Sequence, residues 1–101
     1  MFCFLSKIVT YFLYYSDVVN TSRKYSGKGI ATYPNGDVYD GYFVVGCREG
    51  ASGTYTYNNK VHADGETKDT YKGAWKNNMK HGIGRQTYVG VGEYNGYWEN
   101  G

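Results

Sequence analysis

The chain has 101 residues, 15 of them Gly and 13 Tyr against a single Pro, and a formal charge of +2 from 11 Lys and Arg set against 9 Asp and Glu. Each interior Gly costs a helix about 1 kcal/mol relative to Ala, and 19% aromatic content weighs against disorder. The near-neutral balance lacks the basic stripe of nucleic-acid binders, so the composition predicts one all-β domain of short strands and tight turns.

Residues 1–20 stand apart as an apolar segment. The run MFCFLSKIVTYFLYY is shorter than the ~20 residues of a membrane-spanning helix. A signal peptide would place its positive charge first and small residues last; here Lys7 sits mid-run and Tyr14-Tyr15-Ser16 ends it. Three readings stay open: a terminal strand or helix covering the end of a sheet, a weak membrane anchor, or a start unrelated to the domain. Cys3 and Cys47 form no CxxC pair and no disulfide framework. With His62 and His81 they do not reach zinc-ligand spacing, so a reducing, cytoplasmic setting is expected.

From residue 21 the chain repeats itself. Tyr39-Asp40-Gly41-Tyr42-Phe43, Tyr71-Lys72-Gly73-Ala74-Trp75 and Tyr94-Asn95-Gly96-Tyr97-Trp98 share Tyr-x-Gly-x-aromatic, and seven residues after each Tyr stands a turn former, Gly46, Asn78 or Gly101. Second halves align on Thr32-Tyr33, Thr56-Tyr57 and Thr87-Tyr88. The units are a partial copy at 25–38, which supplies Gly27-Lys28-Gly29, copies at 39–70 and 71–93, and a half copy at 94–101. The spacing from Tyr71 to Tyr94 is 23 residues and that from Tyr39 to Tyr71 is 32. The excess falls as one residue in Gly50-Ala51-Ser52-Gly53 and the rest between Asn58 and Thr70.

A 23-residue unit fits one β-hairpin plus a connection. Period-two alternation puts Tyr71, Gly73 and Trp75 on one face and Lys72, Ala74 and Lys76 on the other. The Gly between two aromatics leaves bare backbone for a neighbouring ring, which is a packing role. Gly46 and Asn78 suit positive φ in the hairpin turn, and Pro34-Asn35-Gly36-Asp37 reads as the turn between hairpins. Stacked hairpins of this kind make one elongated antiparallel sheet. Its last strand lacks a hairpin mate, which points to a fragment of a longer array or to an edge completed by a partner, self-association included.

Tyr71-Lys72-Gly73-Ala74-Trp75 followed by His81-Gly82-Ile83-Gly84 resembles the MORN repeat (membrane occupation and recognition nexus), and Tyr39 to Gly53 is similar with Glu49 in the His place. The resemblance covers about three quarters of the chain. It implies a scaffold that docks partner proteins in cytoskeletal, ciliary or membrane-junction assemblies. As the alternative it implies a peripheral membrane or phospholipid-binding module, or the accessory region of a larger enzyme such as a phosphatidylinositol phosphate kinase.

No catalytic constellation emerges, no metal site and no cofactor motif. His81 has a turn or packing role, and His62, Asp64, Glu66 and Asp69 do not match a calcium loop. The expectation is a non-enzymatic module. Its candidate partner-binding face carries Tyr39, Phe43, Tyr71, Trp75, Tyr94 and Trp98, with an extended peptide or helix as the occupant. Lys72, Lys76, Lys80 and Arg85 make a modest cationic group, read either as a solvated face or as a weak contact to anionic lipid, where each cation contributes about 1 kcal/mol.

Overall fold

The structure is a computed structural model and describes residues 10–13, 18–19, 25–58 and 68–101. Most of the connection between the first and second copies, where His62, Asp64 and Glu66 were weighed as ligands, lies outside the described residues. Eight strands follow in chain order: β1 (Thr10–Leu13), β2 (Val18–Val19), β3 (Gly27–Thr32), β4 (Val38–Val44), β5 (Cys47–Thr56), β6 (Thr70–Lys76), β7 (Met79–Tyr88) and β8 (Gly92–Trp98). They form one antiparallel sheet in the order β2-β1-β3-β4-β5-β6-β7-β8, so from β3 onward each strand pairs with the next in sequence. In the N-terminal segment, the backbone of β1 runs beside β3, with Thr10 opposite Thr32 and Leu13 opposite Gly29.

Register explains the glycines. Gly29 lies opposite Gly41, Gly53 opposite Gly73, Gly73 opposite Gly84, and Gly84 opposite Gly96. A Cβ on Gly41 would stand 3.0 Å from the Gly53 Cα, which joins the two halves into one glycine row across six strands. The residue in excess at Gly50-Ala51-Ser52-Gly53 is absorbed where the β5–β6 register shifts between Gly50 and Gly53, and a bulge there leaves the rest of the pairing intact.

The hairpin turns are two residues long with positive φ at both positions: Val45 and Gly46 (47° and 80°), then Asn77 and Asn78 (49° and 72°). That is type I′ geometry, whose twist matches the strands it joins. Asn100 and Gly101 adopt it too, at 54° and 89°. Each second turn residue also ties its hairpin to the preceding one. The N–H groups of Gly46, Asn78 and Gly101 donate to the carbonyls of Tyr25, Arg48 and Lys80 at 2.8, 3.0 and 2.8 Å.

Between hairpins the sheet is held by two buried aspartates, each two residues ahead of a motif Tyr. Asp37 accepts from the Asn58 N–H (2.7 Å) and the Tyr55 hydroxyl (2.8 Å), and Asp69 accepts from the Val89 N–H (2.9 Å). They are 5% and 4% exposed, and their hydrogen bonds offset the desolvation that burial imposes. Asp69 is therefore a structural anchor, not a ligand held out for a cation. Cys47 is disulfide-bonded, with its partner outside the described residues, which departs from the expectation of two unpaired thiols.

Candidate partner-binding face

The six aromatic residues of the candidate face do come together on one side of the sheet, but most of them face each other. Each motif Tyr folds over the Gly two residues on, and its hydroxyl donates to the carbonyl three residues on. Tyr39 reaches Tyr42 O at 2.8 Å, Tyr71 reaches Ala74 O at 2.8 Å, and Tyr94 reaches Tyr97 O at 3.2 Å. Tyr25 makes the same bond to Lys28 O, so the partial copy holds a motif Tyr that alignment on Tyr-x-Gly-x-aromatic passes over. The rings then alternate edge to face along the sheet. Phe43 meets Tyr39 (centroids 5.1 Å), Tyr39 meets Trp75 (5.3 Å), Trp75 meets Tyr71 (5.2 Å), Tyr71 meets Trp98 (5.5 Å) and Trp98 meets Tyr94 (5.2 Å). T-shaped pairs of this kind add about 0.5–1.5 kcal/mol each beyond area burial.

Packing in this ladder leaves Tyr39 and Tyr71 fully buried and Phe43 and Trp75 at 2% and 5% exposure. Tyr39, Phe43 and Tyr71 are core, and Trp75 keeps only the small part of its surface that lines the cavity described below. Tyr94 is 47% exposed and Trp98 half-buried, because each inner Tyr is covered by the aromatic of the following copy and no described residue covers Tyr94. The accessible part of the candidate face therefore lies toward β8.

The cationic group divides. Lys72 stands directly opposite Arg85, and Lys80 opposite Trp75; the bulge in this pair leaves Lys72, Lys76 and Arg85 exposed and draws Lys80 onto the ring face. Arg85 is partly engaged, its Nε donating to Asn95 Oδ1 at 2.9 Å and lying 3.5 Å from Glu93. Ile83, 71% exposed, pairs with Tyr97, 61% exposed, beside it.

Lys80 has a counterpart that pattern reading missed. Arg48 holds the equivalent place in the first copy, second residue after the hairpin turn. Its guanidinium lies over Trp75 (4.8 Å), Tyr55 (5.1 Å) and Tyr33 (5.5 Å), while Lys80 Nζ lies over Trp98 (4.6 Å), Tyr57 (5.4 Å) and Tyr71 (5.4 Å). Cation–π contacts of this kind hold each cation against the ladder. Arg48 is fixed further by Asn78, to whose Oδ1 its Nε donates at 2.6 Å and to whose carbonyl its Nη2 donates at 2.9 Å. Lys80 donates to Gln86 Oε1 at 3.1 Å. Burial, and secondarily the charge of Arg48, lower the Lys80 pKa. Burial raises the phenol pKa values of Tyr33, Tyr39, Tyr55 and Tyr71, and pushes Tyr57 up to about 12, so these hydroxyls remain neutral donors at pH 7.

An open cavity of about 270 Å³ lies on this face between the two cations, walled by Tyr55, Tyr57, Trp75 and Asn78. His81, at the motif position beside Gly82, packs against Tyr97 with ring centroids 6.1 Å apart, and its Nδ1 has no hydrogen-bond partner among the described residues. No group of three His, Cys, Asp or Glu side chains suited to a metal ion occurs among the described residues.

Comparison with known proteins gives one family. The model of the MORN repeat matches residues 24–38 and 71–90, the stretches that hold the partial and the second copy. No curated protein matches the chain.

Proposed function

The chain belongs to the MORN-repeat family, and from that premise we propose that it is a non-catalytic interaction module that docks a partner protein on the ring face, at its β8 end. The observation that carries this reading is the contrast in exposure along the ladder, from fully buried Tyr71 to Tyr94 at 47%. Rigid Tyr and Trp side chains offer contact area at little cost in conformational entropy, which is why they recur as interface anchors. The half-open Tyr94–Trp98 pair sits on the same face as the cavity.

A second reading has its own observation. On the opposite face Lys72 and Arg85 pair across strands beside exposed Ile83 and Tyr97. Cations next to apolar and tyrosine side chains suit the surface of an anionic bilayer.

Two measurements on the full chain separate the readings. Partner capture by crosslinking is expected to fall with Tyr94→Ser and to persist with Lys72→Glu and Arg85→Glu. Flotation with anionic liposomes is expected to be unchanged by those charge reversals, which also removes any contribution of the apolar N-terminus from the comparison. Salt-sensitive flotation lost on charge reversal, with capture indifferent to Tyr94→Ser, would overturn the docking reading in favour of the membrane.

A further inference from the structure

We propose that the N-terminal segment crosses the outer face of the sheet, the face opposite the rings, and is pinned there by a disulfide bond between Cys3 and Cys47. The proposal is independent of the docking reading, which concerns the ring face.

The sequence holds two cysteines, Cys3 and Cys47. Cys47 is disulfide-bonded, so within one chain its partner is Cys3. Register says on which face the bond lies. Residues directly opposite in an antiparallel pair share a face. Phe43 opposes Arg48, which lies over the rings, and Val44 opposes Cys47. By alternation Cys47 is therefore on the outer face, with Val44 and Tyr42. Val44 and Tyr42 are each 49% exposed there, and Cys47 only 6%. All eight described strands belong to the one sheet, so none of them lies over this face. A side chain so well covered beside neighbours so open is covered locally, by the segment bonded to it.

Reach fixes how that segment runs. β1 begins at Thr10, level with Thr32 and so with Val38, whereas Cys47 is level with Val44. Along β4 those levels are about 20 Å apart, and the steps from β1 across β3 and β4 to β5 add about 14 Å sideways, so the diagonal is about 25 Å. A disulfide spans about 5.5 Å of it between Cα atoms. About 20 Å is left for the stretch from Cys3 to Thr10. Extended chain of that length reaches about 23–25 Å, and a helix only about 10 Å. The stretch is therefore extended, and of the two forms expected for a terminal cap the helix is excluded. It brings Phe2, Phe4 and Leu5 toward Val44 and Tyr42, where burial of apolar surface adds to the bond. The other end of the outer face, with Ile83 and Tyr97, stays open.

The bond forms by exchange. The two thiols give two protons and two electrons to a low-molecular-weight disulfide, which leaves as two thiols.

Peptide mapping of the full chain tests the bond. The chain is equilibrated with oxidised glutathione, unfolded, blocked with iodoacetamide and cut with trypsin. The expected product joins residues 1–7 to residues 29–48 and separates on reduction. A blocked thiol at either cysteine, a mixed disulfide with glutathione, or a bond that joins two chains on a non-reducing gel overturns the proposal. Trypsin cleavage after Lys7 of the native chain tests the placement. It is expected to be about tenfold slower in the bonded chain than in Cys3→Ser, which leaves every described residue unchanged. Reduction is expected to raise the rate of the natural sequence to that of Cys3→Ser and to leave Cys3→Ser unaffected. Equal cleavage rates with the bond in place overturn the placement across the sheet, because a segment held by the bond alone leaves Lys7 open to the protease.

Discussion

The second copy and the terminal half copy carry the same motif and live in different surroundings. Tyr71 and Tyr94 each fold over a Gly and donate to a carbonyl three residues on, yet Tyr71 is sealed between Trp75 and Trp98 while Tyr94 meets Trp98 alone. The indole N–H of Trp75 donates to Gly53 O at 3.2 Å, whereas that of Trp98 is buried with no partner among the described residues. The lesson is that Tyr-x-Gly-x-aromatic specifies a local ring-on-glycine clasp in every copy. For the motif Tyr, full burial comes with the aromatic of the copy that follows. Stability in such an array belongs to the contacts between neighbours.

That contrast can be broken by matched substitutions. The largest effect is expected for Trp75→Ala, which removes a ring packed against Tyr39, Tyr71 and Arg48 and should cost about 3–5 kcal/mol in denaturant unfolding; Trp98→Ala, at a less buried position, should cost less. Val45→Asn is expected to stabilise by about 1 kcal/mol, because a β-branched residue at φ 47° carries strain that Asn tolerates; thermal melts of the two forms check it. Tyr71→Phe should lose about 1 kcal/mol with its buried hydroxyl bond, and Tyr94→Phe a few tenths, since water already competes for that hydroxyl.

Alkaline pH sharpens the same division. Burial raises the folded-state pKa of Tyr33, Tyr39, Tyr55, Tyr57 and Tyr71 above the usual value near 10. The folded chain therefore holds these protons after the unfolded chain has released them. Their contribution is complete below about pH 10 and is lost as pH climbs toward 12 and beyond. Lys80 has the opposite sign, its depressed pKa adding stability as pH rises through its own range, but it is one group against five. Absorbance at 295 nm should show this buried set ionising only as circular dichroism reports loss of the sheet.

Much of this was legible in the chain itself. The repeat spacing dictates hairpins, the alternation assigns Tyr71 and Trp75 to one face, and Gly46, Asn78 and Gly101 do mark the turns. The resemblance to the MORN repeat agrees with the matched family. The site was less legible, for two physical reasons. Aromatic residues that share a face are as apt to bury one another as to bind a partner, and only register shows that Trp75 closes over Tyr39. Lys80 looks like one of four clustered cations until the bulge between Gly73 and Trp75 places it opposite the indole. Arg48 shares no residue type with Lys80 and became its equivalent once both were counted from the turn. The aspartate two residues before Tyr39 and Tyr71 was visible as a repeated Asp-x-Tyr-x-Gly, and its absence before Tyr94, where Gly92 stands, marks the weaker third copy.

The central claim is that glycines clasped by a motif Tyr are indispensable where the next copy seals the ring and tolerant where it does not. Gly73→Ala and Gly96→Ala, compared by urea unfolding of the full chain, test it most directly. A Cβ at Gly73 would meet the Gly84 Cα at 2.4 Å and the Ile83 carbonyl at 2.6 Å, backbone that has nowhere to go, while the atoms nearest a Cβ at Gly96 belong to the Tyr94 side chain, its hydroxyl 2.7 Å away on a ring that is 47% exposed. The account predicts a loss of about 2–3 kcal/mol for Gly73→Ala and under about 1 kcal/mol for Gly96→Ala. Equal losses at the two positions would contradict it.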